Sequence, residues 1–174
     1  MGLTRAELEA GLEEHHAASL GWALSCCGWD RGEAEDVLQS SYLKVLDGRA
    51  RFGARSSFRT WLFGVIRRTA AEHRRRAALR RLWLPLARAD GAVLRDAAPD
   101  PASALERTET STRLVAALRM LPRRQRETLH LVFYEELTLR EAAEVLGVTI
   151  GAARQHYDRG KRRLRELLDP ENRP

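Results

Sequence analysis

The sequence predicts an all-α protein made of two small helical domains that a flexible linker joins. Three observations support this fold class. Apolar residues recur at three- and four-residue spacing, and a helix-turn-helix pattern lies near the C-terminus. The third is that residues 84–103 are rich in Ala, Asp, Gly and Pro and have no sustained period, which is typical of a linker. A chain of 174 residues has room for two such domains, which we expect at 1–83 and 104–174.

Charge is distributed unevenly along this chain. Residues 1–48 hold three basic and nine acidic side chains, which gives a net charge of −6. Residues 49–83 hold eleven arginines and one acid, Glu72, which gives a net charge of +10, and residues 154–165 hold six basic side chains and one acid. Two concentrated positive blocks indicate two separate contacts with a polyanion such as nucleic acid.

The first domain begins with an amphipathic helix. Thr4 can cap this helix, and Leu8 and Leu12 then lie on one side of a segment that we expect to run to about Cys26. The adjacent Cys26 and Cys27 suit neither a disulfide framework nor a zinc site, so we expect both to be small core residues.

A second helix is expected from about Glu33 to Leu46, after a turn at residues 28–32. Its buried residues, at three- and four-residue spacing, are Ala34, Leu38, Tyr42 and Val45. Its outward face carries Asp36, Gln39, Ser40 and Leu43. One exposed leucine is ordinary on a protein surface, but a leucine flanked by Asp and Gln is also compatible with a docking site for a partner.

A third helix, which combines aromatic rings with arginines, follows a loop over 47–55. Ser56 or Ser57 is its expected N-cap. The helical wheel predicts a buried stripe that consists of Phe58, Leu62, Val65, Ile66 and Thr69. Trp61 lies at the edge of this stripe. Phe63 lies outside that stripe, on the side of Arg59 and Arg67, so we expect its ring to be exposed. The helix is therefore either amphipathic with a basic solvent face or a nucleic-acid surface.

The second domain begins near Ala104 with a helix that ends at Leu121. Pro122 is expected as the first residue of the next helix, because its missing N–H is not needed at that position. This next helix runs to about Glu136 and carries the apolar residues Leu129, Val132 and Phe133.

The strongest local signal is a helix-turn-helix between residues 138 and 168. Thr138-Leu-Arg-Glu141 has the form of a capping box and opens a short helix that runs through Leu146. Gly147 supplies a left-handed turn, and Val148-Thr149 leads into a long last helix. Helix, glycine turn and second helix at this spacing predict a DNA-binding unit.

The last helix carries a polar outward face, which is either an ordinary solvated charged face or a set of side chains that read base edges. We expect inward positions for Ile150, Ala153, Tyr157, Leu164 and Leu168, and a shared outward face for Arg154, Gln155, Asp158 and Arg159. Arg pairs with guanine, Gln pairs with adenine, and Asp accepts from cytosine. Contacts with phosphates are expected instead from Arg140, Lys161 and Arg162.

Six stretches, in this order and at these separations, resemble the extracytoplasmic-function group of bacterial sigma factors. In the first domain the stretches are AEDVLQSSYLKV (34–45), RF (51–52) and SSFRTWLF (56–63). In the second domain they are LPRRQRE (121–127), LTLREAAEVLGV (137–148) and RGKRRLRELL (159–168).

The resemblance implies that the first domain docks on core RNA polymerase and opens the promoter −10 region. Docking on the clamp helices of the largest polymerase subunit would use Asp36, Gln39, Ser40 and Leu43. An unpaired strand offers a ring face on every base and a charge on every phosphate, so rings and arginines bind it well. The expected strand contacts are Arg55, Ser56, Phe58, Arg59, Trp61, Phe63, Arg67 and Arg68.

The resemblance also implies that the second domain reads the promoter −35 element. Its expected DNA contacts are Arg140, Arg154, Gln155, Asp158, Arg159, Lys161 and Arg162. Further partners implied by the family are the flap of the second-largest polymerase subunit and an anti-sigma factor. The linker would thread through the polymerase.

Three other functions are alternatives to a sigma factor. A stand-alone helix-turn-helix regulator of duplex DNA explains residues 121–168 but leaves the +10 block and Leu43 without a role. An adaptor that binds only proteins is a further alternative, and it predicts no salt-dependent affinity for DNA in any context. An enzyme is disfavoured, because no Gly-rich phosphate loop, nucleophile elbow or zinc spacing is present.

We therefore expect no catalytic residue, no metal, no cofactor and no small-molecule substrate. No apolar run reaches the eighteen or so residues that a membrane span needs, and no signal peptide precedes the first helix, so we expect a cytoplasmic protein.

Overall fold

The computed structural model describes residues 3–83 and 109–169, with the side chains of 81–83 and 109–111 excepted. Within these ranges every regular element is a helix, which confirms the all-α fold class. In chain order the elements are α1 (Arg5–Glu14), α2 (His16–Cys26), α3 (Arg31–Leu46), α4 (Phe58–Trp83), α5 (Glu109–Met120), α6 (Arg123–Leu129), a π-helical segment (His130–Tyr134), α7 (Leu139–Leu146) and α8 (Ile150–Leu168).

Contacts divide the described residues into two compact units. The first unit comprises 3–53 and 65–83, and the second comprises 54–64 and 109–169, so the division falls within α4. The expected linker 84–103 and the expected helix start at Ala104 lie outside the described residues.

In the first unit, the single helix expected up to Cys26 is wrong, because the chain leaves helical geometry at His15. Thr4 caps α1 as expected, and it does so with a complete capping box, but α1 buries only Leu12. The segment after the break is far more apolar, and α2 buries Trp22, Ala23 and Cys26. Burial of Cys26 confirms its expected core position, whereas Cys27 is half-buried.

Helix α3 begins after Asp30, whose carboxylate accepts a hydrogen bond of 2.9 Å from the Glu33 backbone N–H. Its buried residues are Ala34, Val37, Leu38, Ser41 and Val45. Tyr42, which was expected in this stripe, is only half-buried, because its hydroxyl lies 3.2 Å from Nδ1 of the His16 ring at the protein surface.

An ion pair joins α3 to the later turns of α4 within the first unit. Nζ of Lys44 lies 2.7 Å from Oε2 of Glu72 and 3.1 Å from Oγ1 of Thr69. This hydrogen bond lowers the pKa of Glu72 below its usual range, so the carboxylate stays charged and paired. Glu72 is the single acid of the basic block, and the pairing with Lys44 offsets its charge.

In the second unit, Pro122 lies at the N-cap of α6 rather than at the first helical position. The chain then changes from α-helical to π-helical geometry at His130. A π-helical turn accommodates more residues than an α-helical turn, so side chains after His130 rotate away from the expected stripe. Leu131 is therefore fully buried, while Phe133 is exposed, contrary to the expected apolar side.

Helix α8 packs closely on α6 at Gly160. A Cβ atom at Gly160 would lie 3.1 Å from Cβ of Gln125 and 3.2 Å from Cδ1 of Leu129, which is closer than ordinary van der Waals contact. Nη1 of Arg124 on α6 also donates a hydrogen bond of 3.0 Å to the Leu146 carbonyl at the end of α7. Helix α6 therefore holds both helices of the expected helix-turn-helix.

Candidate nucleic-acid interface

The turn between α7 and α8 has the expected helix-turn-helix geometry. Oγ1 of Thr138 accepts from the Glu141 backbone N–H at 3.3 Å, and the Glu141 carboxylate accepts from the Thr138 N–H at 2.9 Å. Gly147 has φ 60° and ψ 44°, the left-handed conformation that ends α7. Thr149 then caps α8 by accepting from the Ala152 N–H at 3.2 Å. The predicted capping box and glycine turn are confirmed.

The outward face of α8 consists of the four predicted side chains. All four are exposed in the structure: Arg154, Gln155, Asp158 and Arg159. Of the predicted phosphate contacts, Arg140 and Arg162 are exposed, while Lys161 is half-buried with its Nζ 5.7 Å from the centroid of the Tyr157 ring. The structure therefore brings one uncharged and five charged side chains to an open surface around α8, with Lys161 at its edge.

Two features of α8 escaped the sequence prediction. Ile150, expected inward, is 44% exposed in the first turn of α8. His156 is half-buried, and burial together with the Arg124 and Arg159 guanidinium groups lowers its pKa below the usual value. A neutral imidazole at physiological pH follows, so His156 adds no positive charge to this surface.

The start of α4 confirms one expectation and overturns another. Oγ of Ser57 accepts from the Thr60 N–H at 3.1 Å, so Ser57 is the N-cap. Phe63, predicted to be exposed beside the arginines, is fully buried with 0% exposure. The wheel assumed one buried side, but every residue from 62 to 66 is buried, so α4 is enclosed on all sides at this level. Phe63 therefore cannot present its ring to an unpaired strand in this conformation.

Arg59, which was predicted to be a DNA contact, is half-buried and already engaged within the protein. Its guanidinium lies 5.4 Å from the centroid of the Phe63 ring and donates a hydrogen bond of 2.7 Å to the Glu135 carbonyl as well as an ion pair to the Glu135 carboxylate. Burial raises the pKa of Glu135, but hydrogen bonds from His130 and Arg59 outweigh it and leave the pKa below its usual value. Glu135 therefore stays charged.

The remaining predicted strand contacts reach the surface to different degrees. Phe58 and Trp61 are half-buried and lie ring to ring, with centroids 5.3 Å apart. Arg55 and Arg68 are exposed, whereas Ser56 and Arg67 are half-buried. A strand surface around the start of α4 would therefore use two rings rather than three.

The predicted docking face of α3 is open. Asp36 and Gln39 are exposed, Ser40 is half-buried, and Leu43 is 49% exposed. A leucine of this exposure flanked by polar side chains has the character of an anchor for a partner, because its burial on binding removes apolar surface from water.

An exposed aromatic pair was missed by the sequence analysis. Phe133 and Tyr134 are 58% and 72% exposed, and the Phe133 ring stacks on Tyr157 with centroids 5.6 Å apart. Only the π-helical register turns these rings outward, and an apolar pattern at α-helical spacing carries no signal of that change.

Metal and membrane features can be stated for the described part of the chain. Across residues 3–83 and 109–169, no three His, Cys, Asp or Glu side chains form a group able to hold a metal ion. No helix in these ranges is long and apolar enough to span a membrane.

Comparison with known proteins identifies both halves of the chain. Residues 12–80 match sigma-70 region 2, and residues 117–166 match sigma-70 region 4. The ECF RNA polymerase sigma factor SigF of Caulobacter vibrioides is 36% identical over 79% of this chain and 72% of its own length. The RNA polymerase sigma factor CarQ of Myxococcus xanthus is 33% identical over 78% of this chain and 74% of its own length.

Solved structures agree in fold. The sigma factor RpoE of Bartonella quintana, crystallised with the anti-sigma factor NepR, has a TM-score of 0.77 and 25% identity, covering 93% of this chain and 96% of that chain. CnrH, solved with the cytosolic domain of CnrY, has a TM-score of 0.64 at 21% identity. With two sigma-70 regions in the expected order and relatives above 30% identity, the chain belongs to the extracytoplasmic-function sigma factors, which direct RNA polymerase to promoters.

Proposed function

We propose that this sigma factor divides its work among three surfaces. The exposed face of α3 docks on the clamp helices of the largest polymerase subunit, the start of α4 holds the opened −10 strand, and α8 reads the −35 element. The observation that carries the proposal is the open polar face of α8 behind a complete capping box and glycine turn. The side chains of this face are of types that can read bases directly.

The docking surface is proposed from exposure and chemistry. Leu43 is the apolar centre, and Asp36 and Gln39 supply polar groups at its rim. Interfaces are commonly organised in this way, with a desolvated apolar anchor that polar groups surround. Lys44, the next residue, is already paired with Glu72, so the arrangement of α3 on α4 is set before a partner binds.

The strand-binding surface is proposed around the Phe58–Trp61 pair. Stacking on an aromatic ring contributes about 1–3 kcal/mol per base, and separating duplex DNA costs about 1.4 kcal/mol per base-pair step. Two half-exposed rings, with the exposed Arg55 ahead of them in the chain, can therefore offset the opening of one or two steps. The rest must come from core polymerase, and the sigma subunit itself makes and breaks no covalent bond.

Domain boundaries and further partners form part of the same proposal. We assign polymerase docking and −10 opening to residues 1–83, a connecting role to 84–103, and −35 recognition with the flap contact to 104–174. Because the Bartonella relative was crystallised with an anti-sigma factor, we propose that an anti-sigma factor also binds this chain. We propose that this chain acts in the cytoplasm, because core polymerase and promoter DNA are there.

A non-catalytic role is consistent with the two cysteines. Burial, together with the charge of Glu33, raises the pKa of Cys27 to about 12, so its thiol stays protonated and is a poor nucleophile. Cys26 is buried in the core.

Promoter binding with and without core polymerase tests the proposal. We expect weak binding of promoter DNA by the chain alone and strong, salt-dependent binding after core polymerase is added. Leu43→Arg should lower the affinity for core polymerase at least tenfold without changing the thermal unfolding curve. Leu3→Arg, a charge placed at an exposed leucine ahead of α1, is the matched control and should bind normally. Tight, specific binding without polymerase would favour a stand-alone regulator instead.

A further inference from the structure

The first turn of α8 contains an exposed apolar side chain in a polar surface. Ile150 is 44% exposed and lies one and two helical turns before Arg154 and Asp158, so its side chain lies on the same face as theirs. A single exposed apolar residue is ordinary in itself. Its position at the N-terminus of a recognition helix is notable, however, because the N-terminal residues of such a helix contact base edges in the major groove.

Ile150 is the large apolar side chain exposed at this end of α8. Thr149 is held at the N-cap by the hydrogen bond that its Oγ1 accepts from the Ala152 N–H, and its O–H remains able to donate to DNA. Ala153 is buried, Ala152 is half-buried, and Gly151 has no side chain. Among residues 150–153, Ile150 is therefore the one whose side chain extends beyond Cβ and is exposed.

The space beside Ile150 allows a close approach. A Cβ atom built on Gly151 would meet nothing within 4 Å, so the backbone there is open on its outer side. A base edge can come near the helix at this point without displacing a side chain.

The major groove offers one apolar group to an aliphatic side chain. Guanine, adenine and cytosine present hydrogen-bonding groups there, whereas thymine adds its 5-methyl group. We propose that Ile150 is a specificity-determining residue of the −35 contact that packs on the methyl group of a thymine one helical turn from the base that Arg154 reads. The inference rests on the proposed role of α8 in promoter recognition.

A uracil scan isolates this methyl group, because uracil differs from thymine by that group alone. Full-length protein with core polymerase first selects its −35 element from a randomised library, and each thymine of both strands is then replaced by uracil in turn. With the wild type, we expect roughly fourfold weaker binding at one position, the size expected for one buried methyl group. With Ile150→Ala, that position should bind thymine and uracil equally.

Two controls separate this effect from misfolding. Ile150→Val keeps a branched side chain and should retain part of the preference for thymine, whereas Leu114→Ala truncates a leucine that is 39% exposed outside α8 and should change nothing. Preferences at all other positions should survive in Ile150→Ala, which would demonstrate a folded recognition helix.

The outcomes discriminate between the two proposals. If the wild type selects an element but tolerates uracil at every position, the thymine contact is refuted while promoter recognition stands. An equal loss of affinity for thymine and uracil in Ile150→Ala also refutes it, since Ile150 would then contact a protein or the DNA backbone. Failure to select any element refutes promoter recognition and the thymine contact together.

Discussion

Helices α4 and α8 are both proposed to meet promoter DNA, but they differ in how far the protein encloses them. In α4 every residue from 62 to 66 is buried, and Arg59 is engaged by Glu135. In α8 only Ala153 and Gly160 are buried. Four polar side chains on two consecutive turns are exposed: Arg154, Gln155, Asp158 and Arg159. Side chains of α4 that are proposed to bind DNA therefore also contribute to folding, whereas the proposed DNA contacts on α8 are separate from the residues that pack it.

The two helices also differ in what sets their position. Helix α8 follows a capping box, a left-handed glycine and a threonine N-cap, all of which are local features. The first turns of α4 have a local N-cap at Ser57 as well, but they also depend on tertiary contacts, among them the link from Arg59 to Glu135, which is distant in sequence. Substitutions should therefore have large effects on stability in α4 and small ones on the exposed face of α8.

Phe63→Ala is expected to have the largest effect on the free energy of unfolding. Truncation of a fully buried Phe in a core costs about 3–5 kcal/mol, and the Phe63 ring also loses its contact with the Arg59 guanidinium. Denaturant unfolding measures this difference. Arg68→Ala, an exposed position on the same helix, is the control and should change stability by less than about 0.5 kcal/mol. A loss below about 1 kcal/mol for Phe63→Ala would mean that the ring is not part of the core.

Gly160→Ala should have the next largest effect, because α8 approaches α6 most closely there. The added methyl would lie 3.1–3.3 Å from Gln125 and Leu129 atoms, one of them a backbone oxygen. Overpacking costs about 1–3 kcal/mol, and the better helix propensity of Ala offsets only about 1 kcal/mol of it.

Gly151→Ala is the matched control for Gly160→Ala on the same helix. Its added methyl meets open space, so thermal unfolding should show equal or higher stability. If Gly160→Ala were the more stable of the two, the close packing of α8 on α6 would be refuted.

Thr138→Ala should cost about 1 kcal/mol, the usual contribution of an N-cap side chain. Hydrogen bonds from the Thr138 side chain and backbone lower the pKa of Glu141, so their stabilisation is present above the unfolded pKa of about 4.3 and is lost as pH falls through the lower folded value. The difference between wild type and variant should therefore be larger at neutral pH than in acid. A difference that grows in acid would contradict this assignment, and urea titrations at several pH values distinguish the two.

These differences explain which parts of the molecule the sequence could predict. The Thr138–Glu141 box, the Gly147 turn and the Arg154 face depend on neighbours within a few residues, so spacing alone identifies them. Exposure of Leu43 followed from the same reasoning on α3. The helix break at His15 carries no Pro or Gly signal and was missed.

Burial of Phe63 and exposure of Ile150 depend on the third dimension. A helical wheel assigns one buried side, but α4 is buried all round at Phe63, and the first turn of α8 leaves Ile150 exposed. The outward rings of Phe133 and Tyr134 follow from a π-helical register that apolar spacing does not reveal.

In our proposal, α8 gives this sigma factor its promoter specificity. The sharpest test compares the base preference at the −35 element between the wild type and Arg154→Ala. Full-length protein with core polymerase would transcribe a library with a randomised upstream element, and the transcribed templates would be sequenced. We expect a defined element for the wild type and, for Arg154→Ala, a loss of about 1–3 kcal/mol of discrimination at one position. Lys161→Ala should instead weaken all sequences about equally. A uniform loss in Arg154→Ala, with every preference retained, would contradict base reading by this face of α8.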